Sequence, residues 1–152
     1  MSKPSKSPDS MLALDNQLCF ALYSASLAMT KTYKPLLDKI GLTYPQYLVM
    51  LVLWQEEDLL VKSIGEKLFL ASGTLTPLRK RLEASGLILR TRDLQDERQV
   101  RITLTKEGRS LKRRAQDIPA QVLCASGQPV DALVSLRSQL ALIRDDLVRS
   151  NE

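Results

Sequence analysis

The chain contains no histidine. That removes the side chain most used to move protons near neutral pH, and with it most zinc sites. There are only two cysteines, Cys19 and Cys124. Standing about a hundred residues apart, they form neither a CxxC redox pair nor a metal knuckle. No metal and no cofactor are expected. Aromatics are 5% of residues and glycines number six, while Leu, Arg, Lys, Ala and Glu are common, which favours helices over a sheet sandwich. No apolar run approaches the roughly 20 residues that span a bilayer, and Met1 to Ser10 is polar and lacks a secretory leader's apolar stretch. The expectation is a cytoplasmic protein with no membrane partner, in which any disulfide is a regulated one.

What is present points to a polyanion. Hydrophobic content is 44% and charged content 26%, enough for a real core. From Arg79 to Arg114 there are twelve basic residues and five acids, a net of +7, so the rest of the chain sums to −2. That span carries all the excess positive charge, as a nucleic-acid face does. A solvated helix face explains a charge run alone equally well.

In order, residues 1–10 read as a disordered tail and 11–152 as a single domain. Leu14, Leu18, Ala21, Leu22, Ala25 and Ala28 recur at helical steps, with Asp15 as N-cap and an end near Thr32, Pro35 marking a break or a new first turn. Thr43-Tyr44-Pro45-Gln46 matches a capping box for a helix from Tyr44 to about Gln55, apolar all round and therefore buried. Glu56-Glu57-Asp58 ends it. Val61 to Leu70 and Thr74 to Ala84 are two short helices joined by Ala71-Ser72-Gly73, with Ser72 as cap and Leu75, Leu78 and Leu82 inward. The second carries hydroxyls and cations on its other faces, the helix-turn-helix pattern.

Two strands, Leu87 to Arg92 and Gln99 to Leu104, flank a polar turn that presents Arg98. A hairpin directly after a helix-turn-helix is a winged helix, and an arginine on it suits the minor groove of A·T-rich DNA. Arg98 can equally pair with Asp93 or Asp96 to stiffen the turn. A basic helix opens at Thr105 and runs to about Asp117, with Pro119 interrupting it; Cys124 falls in a loop, and Val130 to Val148 is an amphipathic helix with Leu133, Leu136, Leu140, Ile143 and Leu147 at helical spacing. The fold class is mainly α with a small β-wing. Residues 44–104 read as the winged-helix DNA-binding region.

This order resembles the MarR family of dimeric winged-helix regulators. The motif Asp93-x-x-Asp96-x-Arg98 with Gln99-Val100-Arg101-Ile102-x-Leu104-Thr105-x-x-Gly108 carries the likeness. Three further stretches, Leu14 to Tyr23, Gly41 to Tyr47 and Ser72 to Leu78, look like the OhrR repressors, which sense organic hydroperoxides. The likeness spans residues 12 to 148 and implies that the helices of 11–40 and 105–152 are dimerisation helices. It implies a homodimer that represses a peroxide-resistance gene by binding double-stranded, pseudo-palindromic operator DNA, until an organic hydroperoxide oxidises Cys19. By resemblance, Tyr33 and Tyr44 hydrogen-bond the thiolate, with Tyr23 a further candidate, and Cys124 of the other subunit resolves the oxidised thiol. The DNA contacts implied are Ser72, Thr74, Thr76, Pro77, Arg79, Lys80, Arg90 and Arg98, with Asp96 and Arg98 paired on the wing. Ala71 replaces an acid, and Arg79 stands where relatives carry an apolar residue.

Peroxide reacts with the thiolate, and a first-turn position lets the helix dipole help the anion. Apolar neighbours Leu18, Phe20, Ala21 and Leu22 suit an alkyl or lipid hydroperoxide. Tyr33 lies fourteen residues beyond Cys19, about 21 Å along a straight helix, and so cannot reach the thiol of its own chain. Three other readings stand beside this one: a repressor released by a small phenolic ligand, a thiol peroxidase, and an architectural DNA binder without a switch. The helix-turn-helix and wing leave the enzyme reading least favoured.

Overall fold

The structure is a computed structural model that describes residues 8–152. The expected tail lies outside the described residues as far as Ser7, and its last three residues are helical, in the single turn α1, Pro8–Met11. The chain divides into two compact units, one ending at Gln116 and the other spanning Asp117–Glu152. The basic helix after the wing lies in the first unit, with the wing.

In the first unit a short 3₁₀ turn, Leu14–Asn16, precedes α2, Leu18–Asp38. Asp15 is thus not the N-cap: that place belongs to Gln17, whose side chain makes no capping bond. The Gln17 amide instead donates to the carbonyls of Met11 at 2.7 Å and Ala13 at 3.0 Å. Helix α2 also runs through Pro35 rather than breaking before it. A proline removes one N–H from the ladder. Here burial of Leu37 and Ile40 anchors the last turn and the exit from the helix.

Helix α3, Tyr44–Gln55, begins on the expected capping box, with Gln46 N–H donating to Thr43 Oγ1 at 3.3 Å and Thr43 N–H to Gln46 Oε1 at 3.0 Å. Tyr47, Val49, Met50 and Leu53 are core, but Leu51 is exposed, so the helix is not covered all round. A strand that the sequence did not announce follows, β1, Asp58–Leu60. Three residues are too few to show alternation; pairing makes this strand. Leu59 lies opposite Ile102, and both are buried.

Helices α4, Val61–Leu68, and α5, Ser72–Ala84, form the helix-turn-helix. Phe69 closes α4 in the left-handed region, at φ 58°. Ala71, not Ser72, is the N-cap of α5, and it offers no side-chain acceptor. Leu75, Leu78 and Leu82 are buried as expected. Strands β2, Ile88–Arg92, and β3, Val100–Leu104, form the wing and, with β1, an antiparallel sheet in the order β1-β3-β2.

Helix α6, Lys106–Ala115, is capped by Thr105, whose Oγ1 accepts from Gly108 N–H at 3.0 Å and donates to the Gly86 carbonyl at 2.7 Å. Trp54 Nε1 donates to the Gly108 carbonyl at 2.9 Å. Those bonds tie α3, the start of the wing and α6 into one body.

In the second unit, α7, Ile118–Ala125, holds Pro119 in its first turn, and α8 spans Val130–Ser150. Helix α8 buries no residue. Leu133 and Leu140 are half-buried, while Leu136, Ile143 and Leu147 are exposed. The expected apolar residues stand at helical spacing, and the chain leaves them largely uncovered.

Candidate nucleic-acid interface and thiol site

Helix α5 and the wing set the basic face. Ser72, Thr74, Pro77 and Lys80 are exposed along α5, and Thr76 is half-buried with its hydroxyl donating to the Ser72 carbonyl at 2.8 Å. Arg79 corrects the expectation. Its side chain is only 10% exposed and its Nη1 donates to both Glu83 oxygens, at 3.0 and 3.1 Å. The residue one turn on captures the guanidinium and folds it under the helix, so Arg79 is not on the outward face. Arg90, on β2, stays half exposed with its Nε 3.8 Å from Glu83 Oε1.

The wing tip is braced by its own side chains. Asp93 accepts from Asp96 N–H at 3.2 Å, and Arg92 donates to the Glu97 carbonyl at 2.9 Å. Arg101 reaches Asp58 at 2.8 Å and Asp93 at 3.3 Å, lashing the hairpin to β1. Arg98 keeps a side chain 90% exposed while pairing with Asp96 at 3.0 Å. Hydrogen bonds from the Arg98 guanidinium, and then from its backbone N–H, hold the Asp96 carboxyl below the usual range. The pair therefore persists as ions and aims the arginine outward.

Arg98→Ala removes the cation but leaves Asp96 charged on the protruding tip. DNA affinity is expected to fall at least about tenfold, with the slope of log affinity against log salt smaller by about 1. Adding Asp96→Asn should recover part of that loss. Filter binding over a salt series checks both, and an unchanged slope would remove Arg98 from the interface.

The residues expected at the thiol site lie apart. Cys19 is the second residue of α2 and is exposed. Gln17 makes no side-chain cap to the first N–H groups of α2 beside it. The positive end of a helix stabilises an anion there. Leu18, Phe20, Leu22 and Tyr23 are exposed around it, so the apolar pocket expected at the thiol is not closed by one chain.

Tyr33 and Tyr44 do come together, with ring centroids 4.9 Å apart. Both lie against Tyr47, at 5.8 and 6.2 Å, which the sequence reading did not include. Its spacing of three from Tyr44 was the available signal. Tyr33 belongs to the same unbroken helix as Cys19, so the fourteen-residue separation of about 21 Å holds within the chain. Cys124 is not in a loop: it is exposed in the last turn of α7, and its carbonyl accepts from Gly127 N–H at 3.1 Å.

Burial first, then the neighbouring Tyr44 and Tyr47, push the Tyr33 hydroxyl up to about 12. Burial also raises Tyr44 and Tyr47 above the ordinary value of 10.0. These hydroxyls remain donors at neutral pH. A raised folded value means the protonated form is favoured by folding. The contribution is therefore complete below pH 10 and lost as pH rises through about 12. Absorbance titration at 295 nm is expected to show a late step that Tyr33→Phe removes; a Tyr33→Phe curve identical to wild type would contradict it.

Comparison with known proteins agrees with this architecture. The family described as transcriptional regulator SarA/Rot matches residues 31–115. The organic hydroperoxide resistance transcriptional regulator of Bacillus subtilis (strain 168) is 52% identical over 140 residues, covering 92% of this chain and 95% of that one. Among solved structures, reduced AbfR bound to DNA is 37% identical with a TM-score of 0.77, covering 93% of this chain and 99% of that one. A disulfide form of AbfR, a protein of Staphylococcus epidermidis, is 36% identical with a TM-score of 0.61, covering 93% and 96%. With more than half its length matched by the family and a relative alike almost end to end, the chain belongs to the SarA/Rot transcriptional regulators, winged-helix proteins of the MarR type akin to the organic hydroperoxide resistance regulators.

Proposed function

We propose that the protein is a homodimeric repressor that holds double-stranded operator DNA and lets go when an organic hydroperoxide oxidises Cys19. The observation that carries the reading is the separation of the residues expected at the thiol site. Cys19 is exposed at the start of α2, while Tyr33 sits about 21 Å away along the same helix, with Tyr44 at the start of α3 stacked against it. A second copy packed on the open apolar faces of α2 and α8 supplies to each thiol what its own chain withholds. Relatives support the redox reading: one is named for organic hydroperoxide resistance, and AbfR is known both reduced on DNA and as a disulfide.

The chemistry has two balanced steps. The Cys19 thiolate attacks the peroxide's distal oxygen; the O–O bond breaks, the thiol becomes a sulfenic acid, and the peroxide leaves as an alcohol after taking a proton. The Cys124 thiol of the other subunit then attacks the sulfenic sulfur, forming a disulfide and releasing water. Bond formation needs the two Cα atoms within about 7 Å. Because Cys124 sits in the last turn of α7 rather than on a free loop, closure draws on movement or fraying of that turn. Movement at the dimer interface changes the spacing of the two α5 helices, which must match half-sites about 34–36 Å apart.

Titration with cumene hydroperoxide followed by non-reducing gels tests the second step. The wild type is expected to give a covalent dimer that Cys124→Ser does not form. The same inter-subunit dimer in Cys124→Ser would end the resolving role.

One observation favours a second reading, reversible release by a small phenolic anion. A depression of about 600 Å³ lies between Leu87 and α6, with Leu111 and Ile40 as apolar walls and Lys106 and Arg114 as cations. Release of DNA by salicylate without peroxide, lost in Arg114→Ala, would decide for it.

A further inference from the structure

We infer that Arg79, Glu83 and Arg90 form a positioning device that neutralises Glu83 from beneath, so that Arg90 of the wing stays available to a DNA phosphate. The inference rests on the DNA-binding reading and extends it to Arg79 and Glu83, which act through Arg90.

Arg79 is out of place by energy alone. Its side chain is 10% exposed. It shares a small void with Val49, Ile64, Leu75, Ile88 and Ile102, all apolar. Replacing a buried ion pair by apolar side chains of similar volume is often neutral or stabilising. Stability therefore gives no reason for a guanidinium here. Its geometry supplies one. Both Glu83 oxygens accept from Arg79 Nη1, at 3.0 and 3.1 Å. The same carboxylate faces Arg90 Nε at 3.8 Å, close enough for charge attraction and too far for a hydrogen bond.

The backbone around Glu83 is equally fixed. Gly86 N–H donates to the Glu83 carbonyl at 3.0 Å, and Leu87 N–H to the Leu82 carbonyl at 3.1 Å. Gly86 makes this turn at φ +76°, a conformation that suits glycine. The end of α5 and the start of β2 are thus joined by main chain and side chain together. Only Arg90 in this group keeps its fork unbonded. With Arg79 in place, Glu83 is largely neutralised and holds Arg90 loosely. Without it, a full negative charge stands 3.8 Å from Arg90 and near the DNA backbone. It would draw Arg90 inward and repel phosphate.

The test uses a duplex selected from a random pool by the wild-type protein. Failure to enrich any duplex would remove the DNA reading itself. On an enriched duplex, Arg79→Met is expected to bind about tenfold more weakly and to melt lower, because Glu83 is left charged without its partner. Arg79→Met with Glu83→Gln should return to within about twofold of wild type. Arg90→Ala should abolish the effect of Arg79→Met. A purely structural role predicts neither the rescue nor the coupling. Should Arg79→Met not fold, the cycle of Glu83→Gln with Arg90→Ala carries the same test. Wild-type affinity in Arg79→Met, or effects of either cycle that multiply independently within about twofold, would overturn the inference.

Discussion

Gly108→Ala is expected to destabilise the protein by about 3 kcal/mol or more, at the upper end of overpacking costs. A Cβ at position 108 would lie 2.2 Å from the Leu87 carbonyl oxygen and 3.1 Å from Leu104 Cδ2. The first of these is backbone, so no rotamer change relieves it. The Leu87 carbonyl is itself held by Thr105 N–H at 3.1 Å, and Thr105 holds the Gly86 carbonyl. Moving α6 outward would break these bonds and stretch the Trp54 bond to the Gly108 carbonyl. For a chain of this size the loss corresponds to a melting point lower by roughly 10 °C. Trp54 is the only tryptophan and sits on the strained junction, so its emission should shift in the folded variant. Gly73→Ala, where the added carbon meets nothing within 4 Å, should melt at or above the wild-type temperature. Equal melting of Gly108→Ala and wild type would contradict the packing described.

The second large effect is chemical rather than structural. Cys19→Ser is expected to abolish the peroxide response while leaving stability and reduced-state DNA affinity within about 0.5 kcal/mol of wild type. Cys19 is exposed, so the hydroxyl displaces no packing. A serine oxygen lacks the thiolate's nucleophilicity and cannot climb the oxidation ladder. Trapping sulfenic acid with dimedone should label Cys124→Ser after peroxide treatment and leave Cys19→Ser unlabelled. Labelling of Cys19→Ser would place the reactive thiol elsewhere.

The parts of the fold that rest on local signals were legible. The capping box at Thr43, the Leu75-Leu78-Leu82 stripe and the alternation of Val100 to Leu104 each define their element without help from distant residues. Elements that exist only through distant partners were not. Strand β1 is three residues held by β3, and α2 crosses Pro35 because Leu37 and Ile40 are buried beyond it. Arg79 shows the same limit at the site. Helical spacing put it outward, but spacing does not say that a glutamate one turn away will take it inside. Gln17 takes the cap position because the 3₁₀ turn Leu14–Asn16 delays the start of the helix, and its amide, held by carbonyls behind it, makes no capping bond.

The thiol site was legible in a different way. Fourteen residues of helix separate Cys19 from Tyr33 whatever the packing, so their distance within one chain follows from arithmetic on one helix, and the proposed sharing of the site between chains builds on it. Tyr47 was missed because it reads as core, and burial is indeed its fate.

A mobility shift on the selected duplex tests the central claim most directly. Reduced wild-type protein should retard the duplex, cumene hydroperoxide should release it, and dithiothreitol should restore the complex. Cys19→Ser should retard the duplex equally with and without peroxide. Release of DNA by peroxide that survives Cys19→Ser would contradict the account.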